Sequence, residues 1–195
     1  MEELLPGITD FDDVVKSLCS QKIVDLCKYY NYMNYDDFLL ESGAGFPGLK
    51  NGEFIFDEAP GVFVITLDNG DTVSIQDDEL KNSLVYQLDR KGDEYFQYGF
   101  HFKVFKNISI LSENVISSID KEKVINKKVD RVEYLVDSEG KGLGFPDSNQ
   151  IGLVLSFGNY KLAFSLGALN GPLLTPVTVK SGENIDFKNY SLHSL

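Results

Sequence analysis

The segment from Ile151 to Leu166 constrains the fold of this chain more than any other stretch. Ile151, Leu153, Leu155 and Phe157 alternate with Gly152, Val154 and Ser156, and after Gly158-Asn159 the alternation resumes with Tyr160, Leu162, Phe164 and Leu166. Successive side chains of a strand point to opposite faces, so a period of two marks a half-buried strand. A hairpin turning at Gly158-Asn159 pairs Leu155 with Leu162 and Leu153 with Phe164. All eight apolar side chains then share one face, opposite Gly152, Val154, Ser156, Lys161, Ala163 and Ser165. An apolar face of this kind has to be covered, which places the hairpin at the centre of the core.

Other stretches carry the same period. Residues 53–58 and 62–67 read as strands, followed by Asp68-Asn69-Gly70-Asp71. Asn-Gly accepts the positive φ angles of a two-residue type I′ loop. That loop pairs Thr66 with Val73 and Val64 with Ile75, and it puts Phe63, Ile65 and Leu67 on the other face with Thr72, Ser74 and Gln76. In 94–105, Phe96, Tyr98, Phe100, Phe102 and Val104 alternate with Gln97, Gly99, His101 and Lys103. Residues 129–136 read as a further strand.

Helical spacing dominates the N-terminal part. Thr9 or Asp10 caps a helix with Asp12 and Asp13 in its first turn, where the dipole favours negative charge. Phe11, Val14, Val15, Leu18, Cys19, Ile23, Leu26, Cys27 and Tyr30 form its stripe. A second helix is expected from Asn34 through Asp36, Asp37, Phe38, Leu39 and Leu40, with Gly43 as its stop. A third starts at Ser112 with Glu113 and carries Val115, Ile116 and Ile119. The expected class is therefore α+β, with two N-terminal helices packed on a largely antiparallel sheet of about seven to nine strands and one internal helix. The chain reads as a single domain over 1–195, with a helical lead at 1–42 and a β-rich body at 53–180 holding a helix near 112–122. Cys19 and Cys27 would be eight residues apart on one helix. That is about 12 Å, beyond the ~7 Å a disulfide spans, so two free thiols are expected.

With 195 residues and 43% hydrophobic content the chain can bury a sizeable core. No apolar run approaches the ~18–20 residues that cross a bilayer. Met1 to Gly7 lacks the basic and apolar regions of a signal peptide, so a cytoplasmic location is expected. The sequons Asn107-Ile108-Ser109 and Asn189-Tyr190-Ser191 then carry little weight. The net charge of −12 disfavours nucleic acid and anionic membrane as partners, and it favours a basic protein.

Several motifs fail on context. Gly43 to Gly48 spells G-x-G-x-x-G, but it follows an expected helix and precedes a strand, and Pro47 removes a phosphate-cradling N–H. Its echo at Gly142-Leu143-Gly144-Phe145-Pro146-Asp147 is too short to establish a duplication. Ser165 before Gly167, with Asp186 and His193 downstream, copies the order of a hydrolase triad, but Ser165 lies inside a hairpin strand and not on a strand-to-helix turn. Asp68 to Glu79 lacks the calcium-loop residues at its third, fifth and sixth positions. His101 on a polar strand face reads as a lone surface histidine. The basic run Lys121, Lys123, Lys127, Lys128 and Arg131 offsets its neighbours Asp120, Glu122 and Asp130. No metal or cofactor set emerges.

Tyr29-Tyr30-Asn31-Tyr32-Met33-Asn34-Tyr35-Asp36-Asp37-Phe38 has the composition of a binding surface. Tyrosine gives large contact area at low entropy cost, and the carboxylates add charge complementarity. The functional expectation is an acidic interaction protein that neutralises a basic partner, with a bacterial toxin-immunity protein as its concrete form. Tyr32, Tyr35, Asp36 and Asp37 are its expected partner-binding residues. The alternatives are a small hydrolase using carboxylates or His101, and a structural or scaffold subunit.

Overall fold

The computed structural model describes residues 11–31, 54–57, 61–78, 83–91, 105–137, 150–166, 177–187 and 190–194. Among these the chain is mostly β. One helix, α1 (Phe11–Ser20), leads into β1 (Lys22–Asn31), β2 (Phe54–Ile55), β3 (Val62–Leu67), β4 (Thr72–Asp78), β5 (Ser83–Asp89), β6 (Phe105–Ser109) and β7 (Val115–Ile116). A four-residue helix α2 (Lys121–Val124) then precedes β8 (Lys127–Lys128), β9 (Arg131–Asp137), β10 (Gln150–Phe157), β11 (Tyr160–Leu166), β12 (Val177–Gly182) and β13 (Tyr190–Ser194). The first sheet runs β5-β4-β3-β1-β6, with β8 also pairing β1, and the second runs β12-β11-β10-β9-β13. Both are antiparallel throughout. A small parallel pair, β2 with β7, completes the set.

The two large sheets share one apolar core. Phe63, Ile65, Leu67, Val73 and Ile75 come from the first sheet, and Leu153, Leu155, Leu162, Phe164 and Val179 from the second, all at most 3% exposed. The rings of Phe63 and Phe164 meet across it at 5.1 Å between centroids. Each such side chain contributes roughly 1.5–3 kcal/mol by leaving water. At one margin α1 buries Val14 and Leu18. Its Phe11 touches Tyr86 of β5 at 5.3 Å and Tyr134 of β9 at 5.6 Å, which ties the two sheets together.

The second sheet is covered on both faces. Strands β12 and β13 lie at its opposite edges, so the chain between them has to cross from one edge to the other. Ile185 and Phe187 on this crossing, with Tyr190 and Leu192, pack on Leu135, Ile151, Val154 and Ala163. The small and polar face of the 151–166 hairpin is therefore interior, and Ser156 and Ser165 are buried there.

That hairpin pairs Leu155 with Leu162 and Leu153 with Phe164, in the register its sequence implies, but a bulge between Gln150 and Gly152 turns Ile151 away from its expected partners to pack with Val154 and Ala163. Gly158 has φ 63 and Asn159 does not have a positive φ, as a two-residue type II′ loop requires. Strands β3 and β9 also fall where their patterns put them.

Other expectations are overturned. Two N-terminal helices packed on one sheet do not describe this chain. The stripe assigned to one helix is α1 followed by β1, because a β-bulge mimics helical spacing. Ile23 pairs with Leu67 and Asp25 with Thr66, so Val24 is an extra residue. The bulge puts Ile23 and Leu26, three apart, on the same buried side. Cys19 and Cys27 are free, but they lie on different elements. The internal helix expected from Ser112 is instead a run of turns and β7, and α2 begins only at Lys121, capped by the Asp120 carboxylate.

The first hairpin is shifted by one residue from its expected pairing. Leu67 N–H donates to Asp71 O and Gly70 N–H to Leu67 O, each at 2.9 Å, with Gly70 at φ 89. This is a three-residue loop closing on a left-handed glycine. It pairs Phe63 with Ile75 and Ile65 with Val73. One residue of slip exchanges the faces, and the observed register puts apolar residues on the same side in both strands. The second helix expected near Asn34 and most of the aromatic strand 94–105 lie outside the described residues.

Candidate interaction face

Tyr32, Tyr35, Asp36 and Asp37 lie outside the described residues, as do His101 and the Gly43–Gly48 motif. Tyr32, Tyr35, Asp36 and Asp37 follow β1 directly in sequence. Ser165 is 1% exposed on β11, Asp186 is exposed, and His193 is exposed on β13 with its ring stacked on Tyr134 at 5.3 Å. A serine on a covered strand is not a nucleophile elbow, which needs an exposed Oγ on a strained turn.

The side of the first sheet opposite the core carries a set of polar residues. Past the bulge, β1 turns Asp25, Cys27 and Tyr29 away from the core while Leu26 and Lys28 stay buried. Register across the strands aligns Gln87, Ser74, Val64, Cys27 and Ser109 in one row. The adjacent row holds Asp89, Thr72, Thr66 and Asp25. Asp68 and Asp71 lie at the β3–β4 tip that ends this face.

These carboxylates are fixed by neighbouring donors. Ser109 Oγ donates to Asp25 Oδ1 at 2.7 Å, and the Cys27 thiol donates to Asp25 Oδ2 at 3.3 Å. Gln87 Nε2 donates to Asp89 Oδ1 at 2.7 Å. At the tip, Lys22 N–H donates to Asp68 Oδ1 at 3.0 Å and Lys91 N–H to Asp71 Oδ1 at 2.8 Å. Asn107 Nδ2 donates to the Tyr29 hydroxyl at 3.2 Å.

Burial pushes the Cys27 thiol up to about 12, with the Asp25 charge and the hydrogen bond to it adding in the same direction. A thiol that keeps its proton at neutral pH is a poor nucleophile. Burial also raises Cys19, against a backbone hydrogen bond from Val132 and the Lys128 charge. Among the described residues no group of three or more His, Cys, Asp or Glu is placed to hold a metal ion. What the arrangement offers is negative charge at positions held by hydrogen bonds, beside the buried Val64 and Gln87 of the same face.

The buried residue that sequence reasoning missed is Lys28. It is 0% exposed, donates from Nζ to Phe56 O at 3.2 Å and lies 4.1 Å from the Phe63 ring centroid. Its ammonium joins the β2 turn to the core through a hydrogen bond and a cation–π contact. A helical reading of 11–30 gave no reason to place it inside. No family model, curated protein or solved structure matches the chain. No helix among the described residues is long and apolar enough to cross a membrane.

Proposed function

We propose that the chain is an acidic interaction protein that binds and neutralises a basic protein partner, most concretely as the cytoplasmic immunity partner of a bacterial toxin. The observation that carries this reading is the outward face of the first sheet. Asp25 and Asp89, with Asp68 and Asp71 at the margin, are held by neighbouring donors in a chain of net charge −12. Charges already held in place lose little freedom on binding. The long-range field of an acidic body speeds encounter with a basic surface. Tyr32, Tyr35, Asp36 and Asp37 continue the chain from β1 and supply the contact residues, the tyrosines as anchors and the carboxylates as steering charge.

The test is capture of a partner from native lysate, followed by association kinetics at several salt concentrations. The captured protein should be basic, and its association rate should fall steeply as ionic strength rises. Asp36→Asn with Asp37→Asn should slow association and flatten that salt dependence. Tyr32→Ala or Tyr35→Ala should speed dissociation. A partner that is not basic, or whose association ignores salt, would remove the reading.

A further inference from the structure

We infer that Leu111 is the apolar anchor of this interface, seating in a socket on the basic partner that is lined by lysine or arginine. The inference rests on the proposed function and adds to it the place where the partner docks. Among the described residues only two large hydrophobic side chains are strongly exposed, Leu111 at 51% and Ile116 at 44%. Leu111 lies in the turn that follows β6, and Ile116 lies in the short strand β7. Turn tips favour Gly, Asn, Asp, Ser and Pro, which suit both the backbone and water, so a leucine there is not explained by the turn.

This leucine is held rigidly beside a carboxylate. Ile110 is fully buried, and its N–H donates to Leu26 O at 2.8 Å, pinning the turn to β1. Leu111 N–H donates to Ser109 Oγ at 3.0 Å, and the same hydroxyl donates to Asp25 Oδ1 at 2.7 Å. Ser112 N–H closes the turn on Ser109 O at 3.0 Å. An apolar side chain and the exposed polar residues Ser112, Glu113 and Asn114 thus lie within one short stretch, joined through Ser109 to the Asp25 carboxylate of β1. Interface hot spots have this composition, an anchor that loses its water inside a polar rim. A side chain presented on a fixed backbone gives up little entropy on docking. The negative charge beside the anchor and the −12 of the whole chain select a socket bordered by cations and reject an acidic one.

The probe is p-benzoylphenylalanine placed at position 111 in the full chain, photolysed in cells, with the same probe at the exposed Glu183 just past β12 as control. The expected result is one covalent product at 111 and none at 183, with the crosslinked peptide carrying lysine or arginine next to an apolar residue. With the partner identified, Leu111→Ser should weaken binding by at least about thirtyfold, mainly through faster dissociation. Its thermal midpoint should match wild type, because the side chain is already exposed. If wild type captures a basic partner with salt-dependent association while Leu111→Ser dissociates at the wild-type rate, the anchor is wrong and the proposed function stands. Equal crosslinking at 111 and 183 also overturns the anchor. If wild type captures no basic protein, both fall.

Discussion

Replacing Gly152 with alanine should destabilise this protein, although the same change elsewhere in a strand helps. Glycine inside a strand costs roughly 0.5–1 kcal/mol relative to alanine through the freedom of the unfolded chain. At Gly152 an added Cβ would lie 2.7 Å from Leu135 Cδ1, 2.8 Å from the Phe164 carbonyl oxygen and 3.1 Å from Leu135 Cβ. The carbonyl is backbone of the paired strand β11. Leu135 is fully buried and packed with Ile151, Val154 and Ala163, so neither can withdraw freely. Overpacking of this kind typically costs about 1–3 kcal/mol and outweighs the entropic gain. With a urea slope of about 2 kcal/mol/M, and with the entropic gain subtracted, the midpoint should fall by up to about 1.2 M. Equilibrium urea denaturation followed by fluorescence and circular dichroism measures it. The double variant Gly152→Ala with Leu135→Ala should be less destabilised than the sum of the two single variants, because the smaller side chain makes room for the new methyl. An unchanged or higher midpoint for Gly152→Ala would refute the claim that Leu135 and the Phe164 carbonyl are packed too tightly against Gly152 to withdraw.

Leu155→Ala should cost about 2–5 kcal/mol in the same assay, since Leu155 is fully buried where the two sheets meet. Cys27 should react slowly with iodoacetamide at pH 8 in the folded protein, and its rate should keep rising toward pH 12, because the reactive thiolate is scarce below its raised pKa. Asp25→Asn removes the charge and the acceptor that help to raise it, so the labelling profile should move to lower pH. The sign for stability follows: above pH ~8.5 the unfolded thiol ionises while the folded one keeps its proton, so the Cys27 contribution declines from there toward pH 12, and Cys27→Ala should lessen the alkaline loss. Asp57→Ala should cost about 1–3 kcal/mol, because its carboxylate accepts from Ser117 Oγ and, at 2.7 Å, from Ser118 N–H.

The 151–166 hairpin was legible from sequence because its information is local. A two-residue loop with glycine first sets the register, and strict alternation sets the face. The β3–β4 hairpin was legible as a hairpin but not in register. Whether Asn69-Gly70 closes a two-residue or a three-residue loop depends on which side of β4 finds the core, and tertiary packing makes that choice. Of the interaction face, the sequence supplied the carboxylates and the −12 charge. The juxtaposition of Asp25 with Ser109 needed β1 and β6 to pair across 84 residues of chain. The tyrosine and aspartate residues named from sequence lie outside the described residues.

The sequence by itself determined the β10–β11 hairpin, the strand β3 and a net charge of −12. Tertiary structure decided the rest. It made 22–31 a strand, because pairing with β3 and β6 satisfies its backbone and the bulge at Val24 absorbs the broken period. It turned the small-residue face of β10 and β11 inward, because a segment crossing between opposite sheet edges supplied Ile185 and Phe187 to cover it. It took Lys28 inside, because a carbonyl and an aromatic ring were waiting for its ammonium. Each of these depends on partners far away in sequence, and local periodicity carries no information about distant partners.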